Sequence, residues 1–459
     1  MEVVAKENKM GTMKIPKLLY SVSLPIIVSM IIQALYNIVD SIYVAQYNSI
    51  EGTGALTIAF PIQNLMIATA VGLAVGMNAL LSRSLGQKHF EKANLIAGQG
   101  IFLSFCGYLI FLALGLFVSR SYSVGSADGN ELLAQYSYEY ISIVCICSFG
   151  VFVQIIMERL LQATGKSIFS MITQMSGAIV NILLDPILIF GWLGIPGMGI
   201  KGAAIATVIG QCFSAVLGII FNLTVNKEIK LSFANMLPKI KLLLETLAIG
   251  IPAILMQAIG SVMTFCMNKI LIGFSEEALN VFGLYFKLQS FIFMPVFGLN
   301  NGMVPIVSYN FGAQRKDRVY ATVRLAAVTA IVYMFIGLSV FHGLPDVLLG
   351  FFNATPTMLV IGRKALRIIS LSFVFAGFSV ISIATCQALG KSIYSLIVSV
   401  GRQLVVLIPV AFLLSLSGNV EIVWYAFPIA EIMSFVLCIY FLLRVLKKSF
   451  KMIDDKKED

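Results

Sequence analysis

The sequence predicts an all-α membrane protein with twelve transmembrane helices in two six-helix lobes, related by a pseudo-two-fold axis along the membrane normal. Three observations support this fold class. Apolar residues make up 59% of the 459 residues and charged residues only 12%, which is far from the composition of soluble domains. Apolar runs of roughly twenty residues or more follow one another along the chain. A long internal repeat divides these runs into two equal sets.

The apolar runs predict twelve spans, each long enough to cross a hydrocarbon core about 30 Å thick as a helix. They lie at residues 17–47, 54–83, 92–119, 131–158, 166–190, 199–225, 241–273, 278–309, 319–344, 356–386, 392–416 and 420–446.

Lysine and arginine residues are concentrated before the first span and after each even-numbered span, as with Lys14, Lys88 and Arg315. The alternate loops carry little beyond Arg120 and Lys201. The positive-inside rule therefore places both termini in the cytoplasm. We expect a multi-pass protein of the bacterial cytoplasmic (inner) membrane. The net charge of +10 then reflects topology and attraction to anionic lipid in the bilayer, and no nucleic acid partner.

The repeat is clearest in one nine-residue segment. QATGKSIFS at 162–170 returns as QALGKSIYS at 387–395, with seven of nine residues identical. A second match at nearly the same shift sets Gly72, Leu73, Gly76, Met77, Ser82 and Gly86 against Gly298, Leu299, Gly302, Met303, Ser308 and Gly312. Because each half contains six spans, both halves enter the membrane from the same side, which makes the duplication a parallel repeat.

This repeat predicts five segments. They are a cytoplasmic N-terminal tail at 1–16, an N-lobe at 17–225, a cytoplasmic linker at 226–240, a C-lobe at 241–446 and a cytoplasmic C-terminal tail at 447–459. We expect the protein to act as a monomer.

Motifs typical of enzymes and metal sites are missing from the sequence. The seven cysteines lie in apolar spans without CxxC spacing, and there is no HExxH. The GKS of each repeat copy resembles a phosphate-binding loop, but Leu160 and Thr385 stand where that motif needs its first glycine. We therefore expect no enzymatic activity and no cofactor.

Two acids lie deep in spans of the first half. Asp40 stands in YNIVDSIYV and Asp185 in NILLDPILIFG, with Asn37 and Asn181 one helical turn before them. Ionisable residues inside a membrane are costly and usually functional. We predict a cation or proton site of Asp40, Asn181 and Asp185, with Asn37 and Thr207 as further members. Its oxygens suit Na⁺, and two neighbouring carboxylates also suit a shared proton. The alternative is that each aspartate only fixes helix packing.

The second half does not repeat these acids. By the repeat offsets, Asp40 maps near Met267 and Asp185 near Val410, in apolar stretches. Its own buried charges are Lys287, Arg402 and Glu431, which we consider candidate cavity or gating charges. Arg402 and Glu431 are at similar depth and could pair, whereas Lys287 either lines a wet cavity or reaches an acid that the sequence does not identify.

Three prolines are candidate hinges. Pro25 and Pro252 occupy matching places in the first span of each half, and Pro186 follows Asp185. A proline inside a helix removes one backbone hydrogen bond and allows a kink.

These segments together resemble the multidrug and toxic compound extrusion (MATE) transporters, in the bacterial branch that includes MepA-like and DinF-like exporters. The resemblance runs from about residue 15 to about residue 445. It is carried by SLPIIVSMIIQALYNIVDSIYVA, GLAVGMNALLSRSLGQKHFEKA, GLNNGMVPIVSYNFGAQRKDRV, the QATGKS and QALGKS pair, NILLDPILIFG and GIKGAAIAT.

The resemblance implies a V-shaped antiporter that expels organic cations and other amphipathic drugs in exchange for Na⁺ or H⁺. In the archaeal and DinF-like relatives, an aspartate in the first helix, an Asn–Asp pair in the fifth and a threonine in the sixth form the cation site of the first lobe. By the resemblance these roles fall to Asp40, Asn181, Asp185 and Thr207.

Other functions fit the sequence less well. A flippase for lipid-linked precursors would share the lobed architecture, but acidic first-lobe sites and only twelve spans argue against it. An intramembrane enzyme would need an acid cluster at one membrane face or a large extramembrane domain, and neither is present in the sequence. A non-transporting receptor would differ from a carrier in showing no ion-driven uptake.

Overall fold

The computed structural model describes residues 8–47, 51–352 and 354–458. All regular secondary structure in these ranges is helical. The predicted N-terminal tail lies outside the described residues up to position 7, and the predicted C-terminal tail lies outside them at position 459.

The helices of the first half are α1 (Lys9–Thr12), α2 (Ile15–Tyr47), α3 (Glu51–Gly86), α4 (Phe90–Phe117), α5 (Ser119–Ser126), α6 (Glu131–Ile146), α7 (Phe149–Ala163), α8 (Ser167–Phe190) and α9 (Ile200–Thr224), with a 3₁₀ turn at Trp192–Gly194. Those that follow are α10 (Phe233–Met236), α11 (Ile240–Ile272), α12 (Glu276–Gly312), α13 (Lys316–Gly343), α14 (Pro345–Gly350), α15 (Pro356–Ser370), α16 (Phe373–Ala388), α17 (Ser392–Val400), α18 (Ile408–Ser415), α19 (Val420–Val423) and α20 (Ala426–Glu458). A π-helical segment, Gly401–Leu407, joins α17 to α18.

Ten helical segments of the described chain are long and apolar enough to span a membrane, and two bent helix pairs bring the number to twelve. The twelve predicted spans therefore match the structure in number. Two predicted spans, 131–158 and 356–386, are sharply bent helix pairs. α6 and α7 meet at 47°, and α15 and α16 meet at 48°. The breaks fall at equivalent places in the two halves, near Cys147 and Leu371, so the repeat extends to this irregular feature.

Local signals define several helix ends. The side chains of Asn130, Ser275 and Thr355 accept hydrogen bonds from backbone N–H groups in the first turns of α6, α12 and α15, as N-cap residues do. At the end of α8, Gly191 adopts a left-handed conformation with φ 85°, which a residue without a Cβ atom adopts readily.

The described chain packs into two compact units. One runs from Val28 to Ile254, and the other combines the chain up to Ile27 with the chain from Leu255 onward. The boundaries divide α2 and α11, the first helix of each half. The candidate hinges Pro25 and Pro252 lie inside these helices, two residues before each boundary, and Pro186 lies buried inside α8.

In the Val28–Ile254 unit, glycines of α3 allow a close approach to the start of α11. A Cβ atom on Gly76 would lie 2.4 Å from the carbonyl oxygen of Thr246, and one on Gly72 would lie 2.4 Å from Ile254 Cγ1. Both glycines belong to the repeat match. Their conservation between the two halves therefore reflects a helix contact that only small residues permit.

The other unit contains the equivalent contact between α12 and the start of α2. A Cβ atom on Gly302 would lie 2.2 Å from Ser23 Oγ, and one on Gly298 would lie 2.5 Å from Ile27 Cγ1. In both units, the second long helix of one half thus packs against the beginning of the first long helix of the other half.

The chain just before α11 is also anchored, on α4. The buried side chain of Gln99 donates hydrogen bonds to the carbonyl oxygens of Asn235 and Leu237, at 2.9 and 2.7 Å, and accepts one from Lys239 N at 2.8 Å. Asn235, Leu237 and Lys239 of the predicted linker are therefore held against the Val28–Ile254 unit.

The chain just before α2 is anchored in a similar way, on α12 and α13. The guanidinium group of Arg318 donates to the carbonyl oxygens of Met10 and Met13, at 2.9 and 2.8 Å, and to Asn310 Oδ1 at 2.9 Å. Met10 is fully buried. The described part of the predicted N-terminal tail thus forms part of the packed structure.

Candidate functional site

Three helices of the Val28–Ile254 unit carry the first-half polar residues. Asp40 lies on α2, Asn181 and Asp185 on α8, and Thr207 on α9. All four are buried, Asp185 completely and Asp40 with 9% of its surface exposed. The fifth predicted member, Asn37, is exposed, so the structure does not bury it with the other four.

Small residues bring α8 and α9 together beside this group. A Cβ atom on Gly177 or on Gly210 would lie 2.7 Å from the carbonyl oxygen of the other glycine, and the one on Gly210 would also lie 3.1 Å from Asn181 Cβ. This close approach places Asn181 directly against α9. The sequence positions Gly177 and Gly210 therefore determine the spacing of the helices that hold the polar groups.

The two acids and the amide form one cluster. Asn181 Nδ2 donates a hydrogen bond to Asp185 Oδ1 at 3.3 Å, as expected for residues four apart on a helix. Asp40 lies close enough to Asp185 for their carboxylates to interact electrostatically. The structure therefore brings together Asp40, Asn181 and Asp185 from two helices that are far apart in sequence.

Three oxygens of this cluster have no hydrogen-bond partner in the part of the chain that the structure describes. They are Asp40 Oδ1, Asn181 Oδ1 and Asp185 Oδ2, and all are buried. Buried polar atoms are nearly always paired in proteins, so three such acceptors in one cluster require an explanation. A bound cation or added protons would satisfy them.

Two tyrosines that were not predicted as site residues lie near Asp40. The hydroxyl of Tyr140, on α6, accepts a hydrogen bond from Gln63 Nε2 at 3.1 Å and lies near Asp40 and Thr207. Thr207 Oγ1 donates to the carbonyl oxygen of Ala203 at 3.0 Å. Tyr140 therefore links α6 to α3 beside the carboxylates.

The second tyrosine, Tyr36, lies one turn before Asp40 on α2. Its side chain lies near Gln33 and near the carboxylates of Asp40, Asp185 and Glu158. The spacing of four residues between Tyr36 and Asp40 is the one signal in the sequence that could have identified it.

Glu158 is a third buried acid of this unit. It lies on α7 with 7% of its surface exposed, and Gln154 Nε2 donates to its Oε1 at 3.0 Å. The fourth span is predicted to end at Glu158, but α7 continues to Ala163. The longer helix places this carboxylate inside the helical region.

Arg402 and Glu431 form a separate charged pair in the other unit. Arg402 Nη1 donates to Glu431 Oε2 at 3.2 Å, so the pair expected from the sequence is present. Arg402 lies in the π-helical segment, a rare conformation that is often found at functional sites. The other oxygen of Glu431, Oε1, is buried without a hydrogen-bond partner among the described residues.

Lys287 forms no ion pair with an acid among the described residues. It is exposed, and its Nζ is 5.9 Å from the centre of the Phe352 ring, a separation at which a cation–π interaction is still attractive.

The donor set of the Asp40 cluster limits which metal ions it suits. Among the described residues there is no group of three or more His, Cys, Asp or Glu that could hold a metal ion. The cluster offers two carboxylates, an amide oxygen and a hydroxyl, which are all hard oxygen donors. Such donors suit Na⁺ or Ca²⁺-like cations better than zinc or copper.

Comparisons with known proteins agree with this architecture. The family model described as MatE matches twice, at residues 25–187 and 252–413, once in each half of the repeat. The multidrug export protein MepA of Staphylococcus haemolyticus is 27% identical over 404 residues, which cover 88% of each chain. MepA of Staphylococcus aureus strain MRSA252 is 25% identical over 406 residues, again with 88% of each chain covered.

Solved structures give the same result. The MATE multidrug transporter DinF-BH, solved as a ligand complex, is 31% identical and has a TM-score of 0.88, with 97% of this chain and 99% of that chain covered. A MATE crystal structure in complex with MaL6 has a TM-score of 0.90 at 21% identity, with 97% and 99% covered, and shows the shared fold. The resemblance seen in the sequence is confirmed, and the chain belongs to the MatE family of membrane transporters.

Proposed function

We propose that this protein is a secondary active multidrug exporter, which exchanges organic cations and other amphipathic drugs for H⁺ or Na⁺ by alternating access. Its relatives support the drug-export part of this proposal. MepA is named a multidrug export protein, and DinF-BH was solved as a multidrug transporter with a ligand bound.

The proposed coupling site consists of Asp40, Asn181, Asp185 and Thr207. The observation that carries it is the set of three buried oxygens without hydrogen-bond partners, on Asp40, Asn181 and Asp185. A buried carboxylate that is charged and unpaired costs several kcal/mol or more. Protons or a Na⁺ ion would remove this cost, because each would satisfy the unpaired oxygens and neutralise charge.

Ion binding at this site affects the arrangement of α2 and α8. Asp40 is on α2 and Asp185 is on α8, so a cation bound by both carboxylates holds the two helices together. Without the ion, two neighbouring carboxylates repel each other when both are charged. The ion-bound and ion-free states therefore favour different arrangements of α2 and α8.

Exchange follows if drug and ion prefer different conformations. A ligand shifts a conformational equilibrium only through its different affinities for the two states. In our proposal, an ion entering from outside binds Asp40 and Asp185 and favours the conformation that releases drug. Loss of the ion to the cytoplasm restores the conformation that binds drug.

The proposed location is the bacterial inner membrane, with both termini in the cytoplasm. The charge distribution supports this topology. Arg83, Lys88, Arg315 and Arg318 fall near one set of helix ends, and few basic residues fall near the other set.

Drug uptake into everted membrane vesicles tests the proposal. One set of vesicles receives an acidic lumen at equal Na⁺, and another receives a Na⁺-loaded lumen at equal pH. We expect one gradient alone to drive drug uptake, and that gradient identifies the coupling ion. The proposal is wrong if neither gradient changes uptake relative to vesicles without a gradient.

A further inference from the structure

A small cavity lies where the start of α17 meets the C-terminal part of α20. Its volume is about 160 Å³, and it is lined by Lys391, Ile393, Tyr394, Arg444, Val445 and Lys448. Three of these six residues are cations. A cavity needs about 10–15 Å³ of such space to hold one water molecule, so this one has ample room for a phosphate group.

The positive charges around this cavity are not balanced by acids. Arg444 Nη1 donates to the hydroxyl of Tyr440 at 3.2 Å. No carboxylate of the described residues forms an ion pair with Lys391, Arg444 or Lys448, although such pairs occur elsewhere in the same unit. Three like charges at one cavity repel one another. An anion in the cavity would remove this repulsion.

The helix that begins at the cavity adds to the attraction for an anion. Lys391 is the N-cap residue of α17, and its side chain makes no capping hydrogen bond. The hydroxyl of Ser392, in the first turn, is buried without a partner among the described residues. Backbone N–H groups at a helix N-terminus point outward and favour negative charge, so they reinforce the three side chains.

Exposed apolar side chains lie next to the basic residues. Ile393 is 52% exposed and Leu443 is 63% exposed, while Tyr440 is also exposed beside Arg444. Apolar surface bordered by an aromatic residue and by cations is typical of the boundary between acyl chains and headgroups. By the predicted topology this boundary is the cytoplasmic one, where anionic lipids attract basic residues.

The first half of the repeat has only one of the three cations at matching sequence positions. Lys166 matches Lys391, but Phe169 stands at the position of Tyr394. The stretch of α9 that matches Arg444 and Lys448, residues 218–223, carries no charge. The cations are therefore not part of the common scaffold of the two halves.

We propose that the cavity formed by Lys391, Tyr394, Arg444 and Lys448 binds a phosphate group, carried either by an anionic phospholipid headgroup or by free inorganic phosphate. The three cations supply charge and the helix N-terminus supplies backbone donors. In the lipid case, the acyl chains lie along Ile393 and neighbouring apolar residues.

Thermal unfolding of the full chain in a neutral detergent tests this site. Phosphatidylglycerol, phosphatidylcholine and inorganic phosphate are titrated separately, at matched phosphate concentrations. We expect phosphatidylglycerol to raise Tm by a few degrees and phosphatidylcholine to leave it unchanged. In a variant with Lys391→Gln, Arg444→Gln and Lys448→Gln, we expect the apparent affinity for phosphatidylglycerol to fall at least tenfold, because the variant lacks all three charges that attract an anionic headgroup.

Two single variants serve as controls. Lys447→Gln removes a charge next to Lys448 that does not line the cavity, and Lys166→Gln removes the counterpart of Lys391 in the first half. Both should keep the wild-type response to phosphatidylglycerol. Each variant is also melted without added lipid, which separates a weaker fold from a lost site.

The phosphate titration distinguishes the two sources. An effect of phosphatidylglycerol without an effect of inorganic phosphate supports a lipid headgroup, and an equal effect of both supports free phosphate. The proposal is overturned if neither raises Tm, if the triple variant responds like the wild type, or if Lys447→Gln loses the response as fully as the triple variant.

Discussion

Asn181 donates a hydrogen bond to Asp185 at 3.3 Å, while the second oxygen of Asp185, Oδ2, and the amide oxygen of Asn181, Oδ1, are buried without a partner among the described residues. The hydrogen bond orients both side chains, so the two unpaired oxygens have fixed positions. Asp40 adds a third such oxygen from α2. Acceptors that are already positioned bind a cation or protons without a further cost of ordering side chains.

Replacing either carboxylate should uncouple transport from the ion gradient. In Asp40→Asn and Asp185→Asn, the side chain keeps its size but cannot carry charge or take up a proton. We expect both variants to insert into the membrane normally and to lose gradient-driven drug uptake in everted vesicles. Asp128→Asn is a suitable control, because Asp128 has a left-handed backbone with φ 46° that asparagine also tolerates. Wild-type uptake by either site variant would contradict the proposed coupling site.

Removing the Tyr140 hydroxyl should weaken the ion site without abolishing it. The hydroxyl accepts a hydrogen bond from Gln63 and lies near Asp40 and Thr207, and groups that orient ligands typically contribute about 10- to 100-fold in affinity. In Tyr140→Phe, we expect the concentration of the driving ion at half-maximal uptake to rise about tenfold, with a similar maximal rate. Tyr138→Phe, two residues earlier on the same helix and exposed, should leave both quantities unchanged. Equal ion dependence in the two variants would exclude this role for Tyr140.

Sequence patterns predicted the fold because membrane insertion imposes long apolar runs and because the duplication repeats them. The breaks near Cys147 and Leu371 were not predicted, since neither has a proline or a glycine at the break itself. They arise from packing within each unit, which local sequence does not encode. The anchoring of Met10 by Arg318 was missed for the same reason, as it joins residues that are far apart in sequence.

The core of the candidate site was predictable because charged residues are rare inside a membrane. Asp40 and Asp185 stand out in apolar spans for this reason. Tyr140 carries no such signal, because a tyrosine in an apolar helix is ordinary and its hydrogen-bond partner Gln63 lies on another helix. Glu158 was overlooked because it precedes Arg159, and two adjacent charges resemble the end of a span.

The glycines of the repeat should be intolerant of even one added methyl group. A Cβ atom on Gly76 would lie 2.4 Å from the backbone oxygen of Thr246, and one on Gly302 would lie 2.8 Å from Ser23 Cα. Backbone atoms cannot move aside easily, so we expect Gly76→Ala and Gly302→Ala each to lower stability by about 1–3 kcal/mol. Thermal unfolding in a single detergent measures the effect.

A third alanine variant provides the control for these two. Gly283, on the same helix as Gly302, has open space where a Cβ atom would stand, with no other atom of the described residues within 4 Å. Gly283→Ala should leave stability unchanged or raise it by up to about 1 kcal/mol, because alanine favours helices over glycine. If all three variants melt alike, the close contacts at Gly76 and Gly302 do not determine stability.

The stability losses on removing Arg402 and on removing Glu431 should not be additive, because each side chain depends on the other. The side chains are 25% and 9% exposed, so either residue alone would leave a largely buried charge without its partner. We expect Arg402→Met and Glu431→Met each to destabilise the protein by about 3 kcal/mol, and the double variant to lose less than the sum of the two. A double-mutant cycle from thermal unfolding gives the coupling energy, which should be about 1–3 kcal/mol.

The exposed pair Lys364–Glu421 is the matched control, with an expected coupling of about 0–1 kcal/mol. Equal coupling in the two pairs would show that burial does not strengthen the dependence of Arg402 on Glu431.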